Sequence, residues 1–537
     1  MTNDWRVGVE VWYNSAMEKF FNIAGPCIPG EHYMLPALDR LPDVRRLVDR
    51  NQYFVLHAPR QTGKTTAIKA LVREINAKGD KVALYCTLET LQNAIDPDDT
   101  SRTIANLIIE NYIADICGGD GEKLQRDRAA VGMADAKFAV RSALRSLCRF
   151  AGKPLVVFFD EVDCLFGQSL ILFIRQLRDG YVNRDTVPFP ASVALVGMLD
   201  VRDYKAQVRA DGESLEQISP FNIISKDLLL RNFTAEEVRA LYAQHTDETG
   251  QTFAPDAITA AFRLSCGQPW LVNALARECV EEIHGFRYDE PITAEDVETA
   301  KETIIRRRDT HVDSLMERLR APRIRRIVEP VILGDPSPIS RDSEDYRFVT
   351  DLGLLKDDGR GGLVPANPMY SEIIGRYLTR DEQDDMKVSV PHIPWGTPDG
   401  LDMPGLMAAF QTFWRENSEA DRHVHDYKEA TPHLVLMAFL QRVVNGGGRI
   451  TREMALGSGR LDLCVEYRGH RYALELKLRR NFSHEKSLAQ FVGYLDHLGL
   501  GEGWMPIFDD DKSKSWDERL FNRDEMVNGK VIHVVGV

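Results

Sequence analysis

Residues 53–65 have the sequence Tyr53-Phe-Val-Leu-His-Ala-Pro-Arg-Gln-Thr-Gly-Lys-Thr65 and decide the fold of the N-terminal half. The mostly apolar start predicts a short buried strand, and Thr65 to about Lys78 is predicted to be helical. Gly63 supplies a flexible turn between them. Backbone N–H groups of such a turn, together with the positive end of a helix, can bind phosphate groups. The stretch therefore predicts a strand, a phosphate-binding loop and a helix.

The end of this loop carries the side chains that a nucleoside triphosphate requires. Lys64 would contact the β- and γ-phosphates, and the hydroxyl of Thr65 would hold Mg²⁺. Thr66 is included in the predicted nucleotide site, and Ala58 replaces the first glycine of the usual pattern. We expect ATP and Mg²⁺ as ligands. The alternative interpretation is that Lys64 is an ordinary lysine at the start of a helix.

A second apolar run, Val156-Val-Phe-Phe-Asp-Glu161, ends in two carboxylates. At the C-terminal end of a strand, Asp160 can orient Mg²⁺ and Glu161 can polarise the attacking water. A surface turn is the alternative interpretation of this pair. The order of the two motifs, each at the end of a predicted buried strand, favours a nucleotide site.

Further apolar runs complete the prediction for this half of the chain. Strands alternating with helices predict an α/β fold, with a parallel sheet that is covered by helices on both faces. The strands are expected to stop at about residue 226, and residues 226–311 are predicted to form a helical lid. Thr234 and Glu237 have the spacing of a capping box at its start. The additional runs are Lys81-Val-Ala-Leu-Tyr85 and Ser192-Val-Ala-Leu-Val196, with helices expected over residues 100–150.

A second chemical pattern lies near the C-terminus, in Arg460-Leu-Asp462 and Leu474-Glu-Leu-Lys477. Asp462 and Glu475 can converge on one hard cation from neighbouring strands of a hairpin. Lys477 shares the strand face of Glu475 because side chains alternate with period two. A cation held there could activate water for phosphodiester cleavage. The alternative interpretation is an exposed face of an alternating strand. The strands are predicted at 449–455, 461–467 and 471–478.

Three further units follow the lid. Helical stretches leading to two short strands around a glycine-rich turn predict a winged helix. An acidic stretch that contains prolines is the predicted linker. The last unit adds a helix at 484–497 and strands near 504–508 and 530–536. The predicted domains are an ATPase core at 1–225, the lid at 226–311, the winged helix at 312–382, the linker at 383–402 and the last α/β domain at 403–537.

The first 380 residues or so resemble the AAA-type ATPases of the archaeal and signal-transduction (STAND-like) branch. The resemblance implies that Gly267 and Pro269 lie against the nucleotide, although a plain helix–helix turn is the alternative for them. It implies that Asp200 and Arg202 occupy a γ-phosphate sensor position, and that copies assemble so that one lends an arginine to another. The arginine candidates are Arg178, Arg184 and Arg231. The motifs that carry the resemblance are the loop, Phe158-Phe-Asp-Glu-Val-Asp163, Val196-Gly-Met-Leu-Asp-Val-Arg-Asp203 and Gly267-Gln-Pro-Trp270.

Residues 425–510 resemble the PD-(D/E)xK nuclease superfamily, with Leu461 at the proline position. The resemblance implies a Mg²⁺ or Mn²⁺ site at Asp462 and Glu475, with Lys477 as the catalytic lysine. It also implies a helical carboxylate, for which Glu429 is the nearby candidate. Arg460, Gln490 and Tyr494 would have supporting roles. The alternative is that Gln490 is an ordinary residue of a helix surface and Tyr494 an ordinary core residue.

The chain as a whole resembles prokaryotic ATPase–nuclease fusion proteins. This resemblance implies ATP-controlled cutting of nucleic acid, with DNA as the expected partner, in anti-phage or mobile-element defence. Two other functions are compatible with the residues. One is a nucleotide-dependent scaffold whose C-terminal module binds without cutting, and the other is a motor that translocates DNA. The sequence does not choose between DNA and RNA.

Composition is that of a soluble globular protein of three or four domains, with 537 residues, 44% hydrophobic and 28% charged. No segment is long and apolar enough to span a bilayer, and no signal peptide is expected. The eight cysteines form no CxxC and are expected to be reduced in the cytoplasm. A net charge of −14 does not exclude a nuclease, because binding depends on local basic patches. Such patches occur at 306–308, 323–326 and 477–480.

Overall fold

The chain divides into two compact units. The first comprises Met1–Asp313, Ile339–Asp357 and Ala366–Met369, and the second comprises Ser314–Pro338, Asp358–Pro365 and Tyr370–Val537. The computed structural model describes residues 18–92, 94–117, 135–198, 220–332, 343–359, 362–385, 395–397, 400–417, 435–437, 439–440, 448–456, 459–479, 484–509, 511 and 513–537.

The first unit is built around a five-stranded sheet in the order β2-β3-β4-β1-β5. Every neighbouring pair in it is parallel. All positions of β1, β3 and β4 are buried, because helices cover both faces. The predicted α/β fold of this unit is therefore confirmed. The strands are β1 (Tyr53–His57), β2 (Val82–Thr87), β3 (Leu155–Asp160), β4 (Ser192–Gly197) and β5 (Ile224–Leu229).

Alternate residues of the central strands pack into two separate cores. Phe54 lies in one core with Leu71, and Val55 lies in the other with Ile108 and Leu144. This alternation follows from the period of two along a strand. The helices that supply the two cores are α1 (Val44–Asp49), α2 (Lys64–Lys78), α3 (Pro97–Asp115), α4 (Ala139–Ala151) and α5 (Gly167–Val182).

Strand β5 corrects the prediction that strands end at about residue 226. Ile224 pairs with Tyr53, and Leu229 pairs with His57, so the strand runs three residues further. It lies at the edge of the sheet, and Leu228 is its one buried position. An edge strand of this kind lacks the continuous apolar run that marks the central strands, which is why the sequence pattern missed it.

The predicted lid is helical. Thr234 Oγ1 accepts the Glu237 N–H at 3.2 Å, and Glu237 Oε2 accepts the Thr234 N–H at 2.8 Å. This capping box matches the sequence prediction, and it satisfies two N–H groups at the helix start. The helices are α6 (Ala235–Thr249), α7 (Pro255–Ser265), α8 (Pro269–Arg277), a π-helical turn at Glu278–Ile283, and α9 (Ala294–Arg307).

Helices and two short strands follow the lid. The winged helix at residues 312–382 stays a prediction, because element order alone does not define that fold. The elements are α10 (Thr310–Leu319), α11 (Pro322–Ile332), α12 (Glu344–Asp351), β6 (Leu355–Asp357), β7 (Leu363–Pro365) and α13 (Pro368–Asp385).

The second unit contains a seven-stranded sheet. Its order is β10-β11-β12-β14-β16-β15, and β13 pairs with β14. The first three strands form an antiparallel meander, and β14 runs parallel to β12. Strand β15 was not predicted. The strands are β10 (Gly448–Leu456), β11 (Gly459–Tyr467), β12 (His470–Leu474), β13 (Lys477–Leu478), β14 (Glu502–Phe508), β15 (Phe521–Val527) and β16 (Lys530–Gly536).

Two cores hold this sheet against its helices. Phe410 lies in one core with Leu463 and Leu474, and Phe491 lies in the other with Cys464 and Ala473. The helices are α14 (Met403–Asn417), α15 (His484–Leu498) and the short α16 (Trp516–Arg519), and residues 435–437 and 439–440 are also helical.

The C-terminal end of the predicted linker belongs to the core of this unit. Strands β8 (Gly396–Thr397) and β9 (Gly400–Leu401) form a small hairpin. The Leu401 N–H donates to the Tyr472 hydroxyl at 2.7 Å, and Leu401 is buried. A Cβ atom on Gly400 would lie 2.1 Å from that hydroxyl, so only glycine permits the approach. Residues 396–401, at the C-terminal end of the predicted linker, therefore contact the sheet of the second unit.

Two expectations from composition can be compared with the described residues. None of the eight cysteines, all of which are described, forms a disulfide bond. No helix in the described part of the chain combines the length and apolar character needed to cross a membrane.

Candidate functional site

The loop between β1 and α2 encloses the Lys64 side chain. Gly63 adopts a φ of 90°, in the left-handed region that favours glycine, and Lys64 is the first residue of the helix. The Lys64 ammonium donates to the carbonyl oxygens of Ala58 and Pro59 at 2.8 and 3.0 Å. Only 6% of Lys64 is exposed. The Lys64 ammonium is therefore held by carbonyl groups of the loop, beside a helix N-terminus. Phosphate groups bind well at such a position.

The two motifs of the predicted nucleotide site meet at Asp160. The Thr65 hydroxyl donates to Asp160 Oδ2 at 2.7 Å, and the Tyr85 hydroxyl donates to the same oxygen at 3.0 Å. The Glu161 N–H donates to Oδ1 at 3.0 Å. A hydroxyl and a buried carboxylate are hard oxygen donors, and one or two carboxylates beside phosphates suit Mg²⁺. These residues fit Mg²⁺ bound to a triphosphate. Sequence reasoning missed Tyr85.

Glu161 follows the strand in an unusual backbone conformation. Its φ is 56°, in the left-handed region that costs a non-glycine residue roughly 1–3 kcal/mol. Burial raises the pKa of the Glu161 carboxyl, and the nearby Lys64 partly offsets this rise. The turn thus presents a carboxyl group that takes up a proton more readily than an exposed glutamate does.

Arg40 joins the loop to the start of the lid. Its Nη1 donates to the Thr62 carbonyl at 2.9 Å and to the Arg231 carbonyl at 3.0 Å. The guanidinium lies 4.8 Å from the centre of the Phe233 ring. Burial lowers the pKa of Arg40 to about 10. An isolated arginine ahead of the first predicted strand carries no sequence signal of this role.

The motif Gly267-Gln-Pro-Trp270 also contacts the loop. Gln268 Nε2 donates to the Gln61 carbonyl at 3.4 Å. The Trp270 indole donates to the Ile23 carbonyl at 2.9 Å and stacks on His311, with ring centres 4.6 Å apart. His311 in turn hydrogen-bonds the Gln61 side chain. The lid motif therefore lies against the phosphate-binding loop within the first unit.

We expect Gly267→Ala to lower the free energy of unfolding by about 3 kcal/mol or more. The φ of Gly267 is 72°, and a Cβ atom there would lie 2.0 Å from the Phe233 carbonyl oxygen. That carbonyl cannot move easily, because the Phe233 N–H donates to the Gly267 carbonyl at 2.9 Å. Chemical denaturation followed by circular dichroism measures the loss.

Gly250→Ala is the matched control. Gly250 has a similar φ of 82°, but nothing lies within 4 Å of the position of its added Cβ. This variant should show only the conformational cost of about 1 kcal/mol. An equal loss in the two variants would contradict the steric argument for Gly267.

Four other predicted nucleotide-site residues can be placed in part. Thr66 Oγ1 accepts the Cys27 N–H at 3.1 Å, and Pro269 is the first residue of α8. Asp200 and Arg202, the predicted sensor residues, lie outside the described residues. Thr66 therefore lies near the start of α2. The sensor role of Asp200 and Arg202 stays a prediction.

Two of the three candidate arginines contact their own chain. Arg231 donates to both carboxylate oxygens of Glu237, at 2.6 and 2.8 Å. The Arg184 guanidinium lies 3.9 Å from the centre of the Tyr181 ring. Arg178 Nε is buried and has no hydrogen-bond partner among the described residues. These contacts identify no arginine that reaches a second copy.

In the second unit, the hairpin register brings Asp462 and Glu475 together. Leu463 pairs with Leu474 across the antiparallel strands β11 and β12, so the adjacent positions are those of Asp462 and Glu475. The Asp462 N–H donates to Glu475 Oε2 at 3.4 Å, and Asp462 Oδ2 accepts the Leu476 N–H at 2.7 Å. The latter bond takes the place of a strand-to-strand bond. This explains why the predicted strand 471–478 is divided into β12 and β13.

Lys477 compensates the charge of this carboxylate pair. Its ammonium donates to Glu475 Oε1 at 2.7 Å, and Glu475 is only 1% exposed. Burial lowers the pKa of Lys477, but Glu475 and Asp462 raise it by more, so the net pKa is raised and the ammonium is retained. Like charges opposite one another on two strands are unfavourable without such compensation.

The described residues offer this site two carboxylates. No group of three or more His, Cys, Asp or Glu side chains with the geometry of a metal site occurs in the described part of the chain. Mg²⁺ commonly takes one or two carboxylates and keeps several waters, so the Asp462–Glu475 pair fits it. Glu429, the candidate third carboxylate, lies outside the described residues.

Helix α15 faces the same side of the sheet. Gln490 Nε2 donates to the Tyr494 hydroxyl at 2.6 Å, and Tyr494 is buried. Cys464 and Ala473, which share the strand faces of Asp462 and Glu475, lie in the core with this helix. Arg460 lies in β11, and its side chain falls outside the described part of the chain.

No protein-family model matches the sequence, and no curated protein matches it. The Walker-type ATPase of Pyrococcus abyssi is 13% identical with a TM-score of 0.47, over 66% of this chain and 99% of that chain. The Thermotoga maritima RuvB Holliday junction branch migration motor is 14% identical with a TM-score of 0.32, over 66% of this chain and 94% of that chain. Similarity at this level assigns neither a family nor an activity to the chain.

Proposed function

We propose that the first unit binds and hydrolyses ATP with Mg²⁺. The observation that carries this proposal is the 2.7 Å hydrogen bond between Thr65 and Asp160, two motif residues that are 95 positions apart in the chain. The loop around Lys64 and the lid contacts of Gln268 support it. Assembly of several copies, with an arginine lent by one copy to the next, belongs to the same proposal.

Each residue has a distinct role in this proposal. Lys64 and the loop N–H groups bind the β- and γ-phosphates. Thr65 and Asp160 hold Mg²⁺, which supplies positive charge to the phosphates when it is bound. Glu161 orients the attacking water and accepts its proton. Gly267 and Pro269 lie against the nucleotide on the side of the helical lid.

We expect the ATPase rate to fall as the pH is lowered. The fall should occur at a higher pH than it would if a glutamate with an ordinary pKa were the base. Glu161 must be ionised to accept a proton, and burial raises its pKa above the usual value. The active form is therefore present at high pH and is lost as the pH falls through this raised pKa. Steady-state rates between about pH 5 and about pH 9 test this.

Glu161→Gln provides the comparison. It should lower the rate about a hundredfold or more and remove the acidic limb, because glutamine does not titrate. A Glu161→Gln variant that keeps the acidic limb of the wild-type protein would be inconsistent with Glu161 as the base.

We further infer that the second unit hydrolyses phosphodiesters in nucleic acid, with DNA as the preferred substrate and Mg²⁺ or Mn²⁺ as the metal. Asp462 and Glu475 would hold the metal, which supplies an activated water when bound. Lys477 would orient this water and the scissile phosphate. The contact of the Lys477 ammonium with the Glu475 carboxylate supports this inference, as do the hydrogen bonds that join Asp462 to Glu475 and to Leu476.

A non-cleaving nucleic-acid-binding module is the second candidate. The observation that favours it is the pair of carboxylates, rather than three, among the described residues. Calorimetric titration with Mn²⁺ separates the two candidates. A cleaving site should bind the metal measurably more tightly than its Asp462→Ala variant, whereas a non-cleaving module should bind it equally in both proteins.

The proposal as a whole is tested with a panel of substrates. Plasmid, linear duplex DNA, single-stranded DNA and RNA are incubated with Mg²⁺ or Mn²⁺, with and without ATP. Metal-dependent cleavage supports the nuclease, and a change in its rate on adding ATP supports control by the nucleotide. ATP hydrolysis that rises steeply with duplex length would instead support a translocating motor.

A further inference from the structure

Tyr85 lies on the strand next to Asp160 and on the same face of the sheet. In the parallel pair β2–β3, Tyr85 is opposite Phe158 and Thr87 is opposite Asp160. Opposite residues share a face, and so do residues two positions apart. Tyr85 is therefore the diagonal neighbour of Asp160, and its hydroxyl crosses this distance to reach Oδ2 at 3.0 Å.

Tyr85 is the second hydroxyl on one carboxylate oxygen. Asp160 Oδ2 accepts from Thr65 at 2.7 Å as well as from Tyr85, while Oδ1 accepts the Glu161 N–H. Asp160 is only 1% exposed, so these three bonds restrict the plane of its carboxylate.

The two hydroxyls are not equivalent. Thr65 is the second residue of helix α2, beside the phosphate-binding loop, and a hydroxyl that donates to Asp160 still has lone pairs to offer a cation. Tyr85 lies on β2, and its ring contacts the Lys69 ammonium at 5.0 Å from the ring centre. The bond from Tyr85 therefore anchors Asp160 to the sheet, independently of the loop.

We propose that Tyr85 is a positioning residue that holds Asp160 in the orientation needed to bind the magnesium ion of Mg–ATP. This inference rests on the proposed ATP site. Groups that orient metal-binding carboxylates typically contribute about 10–100-fold to metal affinity. Tyr85 should therefore influence the metal requirement of nucleotide binding and leave binding of the nucleotide itself unchanged.

The test is the Mg²⁺ dependence of ATP binding by the full chain carrying Tyr85→Phe. The binding of a fluorescent ATP analogue is measured in EDTA and over a Mg²⁺ titration. We expect the half-saturating Mg²⁺ concentration to rise about tenfold, with the affinity in EDTA unchanged. Tyr53→Phe is the matched control, because it also removes one tyrosine hydrogen bond, to the Pro190 carbonyl at 2.9 Å. Melting temperatures show that both variants are folded.

Two results would overturn the role of Tyr85. One is an unchanged Mg²⁺ requirement in Tyr85→Phe, and the other is an equal loss of affinity with and without Mg²⁺, since that would reflect general damage to the loop. In both cases the proposed ATP site would still be supported if the wild-type protein bound ATP in a Mg²⁺-dependent way. A wild-type protein that binds no ATP overturns the proposed function and the role of Tyr85 with it.

Discussion

Lys64→Ala should weaken ATP binding by about a hundredfold, the largest effect that we expect in the first unit. The Lys64 ammonium is nearly buried inside the loop and contacts the carbonyls of Ala58 and Pro59. Alanine removes the only positive side chain that we assign to the β- and γ-phosphates, in a setting where charge-assisted hydrogen bonds are strong. Equilibrium binding of a fluorescent ATP analogue measures the change.

Lys78→Ala is the matched control for this variant. Lys78 lies in the last turn of the same helix, is exposed, and pairs with Asp80 at 3.1 Å. It makes the same change of charge on α2 at the end away from the loop. ATP affinity should stay within about twofold of wild type. An equal loss in both variants would mean that net charge, and not the loop geometry, governs binding.

Glu475→Gln should slow cleavage of nucleic acid by about a thousandfold or more while leaving ATP binding unchanged. Glutamine keeps the shape of the side chain and can still accept the Asp462 N–H. It removes one of the two negative charges that would hold the metal, and it takes a charged partner from Lys477. Cleavage of labelled DNA under single-turnover conditions with Mg²⁺ measures the effect.

Glu466→Gln makes the same chemical change on β11, away from the carboxylate pair. Glu466 pairs with Arg471 at 3.1 Å, and its side chain is 30% exposed. Cleavage should remain close to the wild-type rate in this variant. If Glu475→Gln cut DNA as fast as Glu466→Gln does, the carboxylate pair would not be the nuclease site, and the non-cleaving alternative would be preferred.

Much of the fold was predictable because its central strands are buried on both faces. Strands β1, β3 and β4 appear in the sequence as continuous apolar runs, and the capping box at Thr234 has a local signature. The edge strand β5 and the β8–β9 hairpin have no such run. Their positions depend on partners far along the chain, such as Tyr53 for β5 and Tyr472 for the hairpin.

The sequence by itself determined which residues are the candidates for the chemistry. Gly63, Lys64 and Thr65 lie within one turn of chain, and the period of two in a strand places Glu475 and Lys477 on one face. These patterns are local, so they can be identified without knowledge of the fold. The order of the motifs also predicted that this loop joins a strand of a parallel sheet to a helix, as it joins β1 to α2.

Only the tertiary structure decided how these residues are held. Tyr85 reaches Asp160 across 75 residues of chain, and Arg40 reaches the Arg231 carbonyl across 191 residues. Asp462 binds the Leu476 N–H and so divides a strand that the alternation had predicted to be continuous. Such contacts depend on strand order and register, because a hydrogen bond requires two atoms to lie within about 3 Å whatever their separation in sequence.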